Sequence, residues 1–73
     1  MPSLTLKGEF ITLAQALKVT GLASSGGEAK SLIKDGAVEV NGVTETRAGC
    51  KLRAGDCFRM VADGPEWNIV PGD

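Results

Sequence analysis

The spacing of apolar positions changes period along this chain, and the changes mark its elements. Ser3-Leu4-Thr5-Leu6-Lys7 alternates polar with apolar residues and predicts a short edge strand, broken by Gly8. Thr12 then opens a helix. Gln15 stands three residues on, where its side chain can return to the Thr12 amide and complete a capping box. Leu13, Ala16 and Leu17 supply the buried face. Gly21 can take the left-handed conformation that ends a helix. Phe10, just ahead of the cap, can pack on the first turn. A second helix begins at Ser25, with Glu28 in capping-box position and Ala29, Leu32 and Ile33 on one face, and it closes at Gly36. The link Leu22-Ala23-Ser24 is so short that the two helices must pack on each other.

Beyond Gly36 the period falls to two. Ala37-Val38-Glu39-Val40 and Val43-Thr44-Glu45 alternate on either side of Asn41-Gly42, the pair that best tolerates the positive φ of a type I′ hairpin turn. A loop follows over 46–52. Further strands are expected at Cys57–Val61 and Glu66–Val70, separated by a turn at Asp63-Gly64-Pro65. Helices followed by strands predict an α+β domain: two packed helices against a small, mainly antiparallel sheet. At 73 residues the chain is one domain over 1–73, with a core at about 10–60 and a C-terminal strand extension at 61–73.

Composition narrows the chemistry. An apolar fraction of 42% supports one core, and 23% charged residues fit a globular protein. There is no apolar run of membrane length and no signal-peptide pattern at the N-terminus, so a cytoplasmic protein is expected. Histidine and tyrosine are absent, and neither the serines nor Cys50 and Cys57 come with a base and an orienting third group in one motif. The two cysteines are not a Cys-x-x-Cys pair and read as ordinary thiols. No catalytic activity, metal or cofactor is expected.

The formal net charge of −1 argues against a polyanion partner, but it conceals an uneven distribution. The stretch 46–53 holds Arg47, Lys51 and Arg53 and no acid, whereas 54–73 holds four carboxylates against Arg59 alone. Local potential, not total charge, governs phosphate binding. Lys30 and Lys34 lie one turn apart on the second helix, off its apolar face, as a like-charge pair that a polyanion would relieve. Ser25-Gly26-Gly27 offers backbone amides at the positive end of that helix, where glycines permit close approach by phosphate. The same glycines also serve if the interhelical turn needs them to fit. Trp67 and Phe58 can stack on bases or fill the core.

The order of these motifs resembles the ribosomal protein S-four type RNA-binding domain, also called the alpha-L motif. The resemblance is carried by Leu17-Lys18, Ser25-Gly26-Gly27-Glu28-Ala29-Lys30, Leu32-Ile33, Gly36-Ala37-Val38-Glu39-Val40-Asn41-Gly42 and Lys51-Leu52-Arg53-Ala54-Gly55-Asp56, and spans Phe10 to Met60. The chain also resembles the small stand-alone bacterial members of that family. It implies a helix pair against a short sheet, with ribosomal or transfer RNA held between the helices and adjoining loops. Carried onto this chain, contacts fall on Ser25, Lys30, Lys34, Asn41, Arg47, Lys51 and Arg53, helped by the Gly26 and Gly27 amides. Many members have a basic residue where this chain has Gly26, which removes one phosphate contact. Five cations together imply a salt-dependence slope of roughly 3 to 4.5 in magnitude. The expected partner is RNA, bound by a monomer. The alternative is an adaptor that kept the fold and binds protein through the acidic C-terminal segment and Trp67.

Overall fold

A computed structural model describes residues 2–62 and 64–72. The expected helices are present and begin at their caps. Helix α1 spans Leu13–Val19; Thr12 Oγ1 accepts from the Gln15 amide at 3.3 Å and Gln15 Oε1 accepts from the Thr12 amide at 3.0 Å, so the box is complete. Helix α2 spans Gly26–Lys34 with Ser25 as N-cap. Here the box is only half made. Ser25 Oγ accepts from the Glu28 amide at 3.1 Å, but the Glu28 carboxylate accepts from the Ser24 amide, one residue earlier than expected.

The strands are β1 (Ser3–Leu6), β2 (Ile11–Thr12), β3 (Val38–Val40), β4 (Val43–Thr44), β5 (Lys51–Leu52), β6 (Cys57–Met60) and β7 (Trp67–Pro71). Five of them form one sheet in the order β1-β7-β6-β3-β4, and β2 pairs with β5 as a separate two-stranded piece. The hairpin between β3 and β4 turns at Asn41 and Gly42, with φ of 52° and 83°, and pairs Val40 with Val43. Both central residues are left-handed, which a type I′ turn requires.

Three long-range features go beyond the sequence expectations. The strand β1 pairs in parallel with β7, Leu4 beside Ile69, while the other ladders are antiparallel. The strand β7, drawn from the segment read as an extension, lies between β1 and β6 and buries Ile69. The stretch read as a loop over 46–52 ends in β5, paired with residues directly before the first helix. Of the turn expected at 63–65, Asp63 lies outside the described residues.

One core joins the two layers. Leu13, Ala16 and Leu17 of α1 and Ala29 and Ile33 of α2 pack on Val38, Leu52, Phe58 and Ile69 of the strands. Phe58 is fully buried and stacks on Trp67 with centroids 6.4 Å apart and planes 11° apart. The base-stacking role considered for Phe58 is therefore closed to it: a small core uses its few aromatics for apolar burial. Trp67 is half-buried, and its Nε1 has no acceptor among the described residues.

Candidate functional site

The basic stretch is fastened down by its own backbone. The Leu13 amide donates to the Cys50 carbonyl at 2.8 Å and the Ala14 amide to the Ala48 carbonyl at 3.2 Å. The loop thus satisfies amides of the first turn of α1 that have no partner within the helix. The β2–β5 ladder sets Ile11 against Leu52 and Thr12 against Lys51. Leu52 is buried, so strand alternation sends its neighbours Lys51 and Arg53 to the opposite side. There they meet Phe10: Lys51 Nζ stands 4.8 Å and Arg53 Cζ 5.9 Å from the ring centroid. Two cations within about 6 Å of one aromatic ring are attracted to its quadrupole. The ring itself remains 39% exposed.

Arg47, Lys51 and Arg53 line one shallow depression of about 470 Å³ with Gly49 and Cys50, and no carboxylate lines it. The nearby Asp56 carboxylate is engaged by other donors, the Arg53 amide at 2.8 Å and Asn41 Nδ2 at 3.2 Å. Arg47 differs from its two neighbours. Its Nε donates to Glu45 Oε2 at 3.1 Å, and the same carboxylate accepts from the Thr46 and Arg47 amides at 3.1 Å. The Arg47 side chain and amide hold the Glu45 carboxyl down at about 2. The acid-free stretch over 46–53 is therefore flanked by an acid that folds back onto it, and Arg47 presents a neutralised pair to solvent instead of a free charge.

The remaining expected contacts are dispersed. Lys30 and Lys34 are exposed on α2, off the face that buries Ala29 and Ile33, and line no part of the depression. They make no ion pair among the described residues. Ser25 is occupied as a cap. A Cβ at Gly26 would meet nothing within 4 Å, and one at Gly27 only Ser25 Oγ at 3.9 Å; neither residue has positive φ. The interhelical turn therefore does not require glycine at either place. Asn41 works within the fold: Oδ1 accepts from the Cys57 amide at 3.1 Å while Nδ2 holds Asp56, tying the hairpin tip to β6.

Burial pushes the thiols of Cys50 and Cys57 up, and a hydrogen bond to Glu66 adds to the effect at Cys57. Both are neutral at pH 7 and poorly suited to nucleophilic work. Among the described residues no cluster of three or more metal-ligating side chains occurs, and no helix is long and apolar enough to cross a membrane.

Sequence reasoning gave Phe10 only a packing role on the first turn and gave Glu45 none. The signal for Phe10 was non-local: only the register of β2 on β5 brings it against Lys51 and Arg53. Glu45, two residues before Arg47, lay just outside the stretch counted as acid-free.

Comparison with known proteins agrees with this architecture. The pattern of the S4 domain matches residues 4–70. The chain is 43% identical over 49 residues to a putative RNA-binding protein of Escherichia coli, YbcJ, covering 67% of this chain and 70% of that one. It is 40% identical over 61 residues to a probable ribosome maturation protein of Bacillus subtilis, RlbA, covering 84% and 86%. It is also 39% identical over 61 residues to a tyrosine–tRNA ligase of Burkholderia lata, of which it spans only 15%. The solution structure of YbcJ, whose alpha-L motif is said to be involved in RNA binding, superposes with a TM-score of 0.71 at 35% identity, covering 96% of this chain and 87% of that one. A family pattern that runs almost end to end, on a fold shared at this level of identity, places the chain in the S4 domain family.

Proposed function

We propose that this chain binds structured RNA of the ribosomal or transfer RNA class without catalysing a reaction, by laying phosphates across the Lys51–Arg53 depression and the outer face of α2. The observation that carries the reading is the pair of cations on the Phe10 ring, in a depression with no carboxylate in its lining. The family supports it, as do the relatives YbcJ, a putative RNA-binding protein, and RlbA, a probable ribosome maturation protein. The mechanism is electrostatic and positional: phosphate contacts fix orientation and release counterions. Lys30, Lys34, Lys51 and Arg53 are the four proposed contacts without an ion-pair partner among the described residues, since Glu45 holds Arg47. Four contacts give a slope of log K against log salt of roughly −2.8 to −3.6. The Gly26 and Gly27 amides, with no acceptor among the described residues, can add hydrogen bonds to the same backbone.

The test is a salt series with a labelled RNA hairpin, comparing the parent with Lys51→Glu, Arg53→Glu. Affinity that ignores salt, or equal binding by the variant, refutes the electrostatic site. Crosslinking in cells, followed by sequencing of the recovered RNA, then tests the ribosomal or transfer RNA assignment. The alternative of a protein adaptor working through Trp67 receives no support from the ring's position, half-buried against Phe58.

A further inference from the structure

Phe10 also lines a second concavity. It holds about 730 Å³ between β1 and α1, with Phe10, Ile11 and Val19 among its apolar residues, Thr5 and Gln15 as uncharged polar ones, and Lys7 and Lys18 as the charged ones. This volume lies within the roughly 300–1,000 Å³ range of small-molecule sites, though the groove is open. No carboxylate lines it; Glu9 is the nearest acid in sequence. Two of its wall residues are large apolar groups left in water, Phe10 at 39% and Val19 at 64% exposure. Lys7 and Lys18 form no ion pair among the described residues. The Gln15 Oε1 is engaged by the Thr12 amide, which leaves its NH₂ to donate.

We infer that this groove takes one unpaired nucleobase of the RNA whose backbone crosses the Lys51–Arg53 depression. The inference rests on the RNA-binding reading and adds what that reading lacks, a preference for RNA with an unstacked nucleotide. Three observations favour a base. The groove adjoins the basic depression: Phe10 lines the groove, and Lys51 and Arg53, which line the depression, stand over its ring. The interior is apolar and aromatic, which suits a base face and not a phosphate. The charged groups that line it are cations alone, the sign that the phosphates flanking an extruded nucleotide require. A paired base cannot enter, because its faces are covered by its stacking neighbours.

The experiment measures binding to three RNA probes by fluorescence anisotropy: a blunt duplex, the same duplex with one bulged adenosine, and the same duplex with an abasic bulge. The parent is expected to prefer the bulged adenosine over both controls by about 5- to 160-fold, the range that stacking one base supplies. Phe10→Leu keeps apolar bulk without the aromatic face and should bring that ratio down to a few-fold. Lys7→Ala with Lys18→Ala, both exposed and so harmless to folding, should flatten the salt slope for the bulged probe only. Equal affinity of the parent for all three probes overturns the base site while leaving RNA binding intact. A ratio unchanged in Phe10→Leu overturns it as well. No salt-dependent binding to any probe removes the RNA reading itself. An acidic extended peptide that competes with the bulged probe at the groove, without affecting the blunt duplex, would reassign the groove to a protein segment along the free β1 edge.

Discussion

Glu45→Gln should make the chain a better RNA binder. In the folded protein the Glu45 carboxylate holds the Arg47 guanidinium and neutralises the third cation of the depression. The amide of glutamine is a nearly isosteric replacement without the charge, and its oxygen can still accept from the Thr46 or Arg47 amide. Arg47, whose side chain is 81% exposed, is then free to reach a phosphate. One more cationic contact steepens the slope of log K against log salt by roughly 0.7 to 0.9. At 0.1 M salt that corresponds to an affinity about five- to eight-fold tighter. The assay is a salt series by fluorescence anisotropy on four proteins: parent, Glu45→Gln, Arg47→Ala and the double variant. Arg47→Ala should change little in the parent, because its charge is already cancelled, and should remove the whole gain in the Glu45→Gln background. Such non-additivity is what a shared pair produces. A Glu45→Gln protein that folds normally and binds with unchanged slope would refute the reasoning, as would a large loss from Arg47→Ala alone.

The same carboxylate makes stability depend on acid. Its folded value of about 2 lies below the ordinary 4.5, so its contribution is full above about 4.5 and is lost as pH falls towards 2; the Tm gap between parent and Glu45→Gln should close over that window. Gly26→Ala adds a Cβ into open space at the first position of α2, so helix propensity predicts a stabilisation of up to about 1 kcal/mol by thermal melting, and weaker RNA binding if phosphate approaches that amide. Asn41→Ala loses both the bonds to Cys57 and Asp56 and the side chain's tolerance of φ 52°, and should cost about 1–2 kcal/mol; Asn41→Gly, which keeps the backbone freedom, should cost less in the same denaturant titration. Leu17→Ala, at a fully buried position between the helices and the sheet, should cost about 2–5 kcal/mol and lower Tm by roughly 10 °C or more.

What was legible in the sequence alone were features governed by neighbours a few residues apart. The Thr12 and Ser25 caps, the Gly36 stop and the Asn41-Gly42 turn are each settled within about four positions, because caps and turns are hydrogen-bond and φ requirements of the local backbone. The apolar period likewise marked Ala16, Leu17, Ala29 and Ile33 as inward-facing. The cations of the site were legible as residues, but their state was not. Only the tertiary structure paired β1 in parallel with β7 and brought residues 51–52 onto 11–12. These ladders join segments far apart in the chain, and strands of two to five residues carry too little pattern to choose a partner. That long-range pairing is what set Lys51 and Arg53 on the Phe10 ring, while the path of the chain beyond the hairpin folded Glu45 back on Arg47. Charge is written in the sequence, but potential depends on distance, and distances between remote residues exist only once the core has closed.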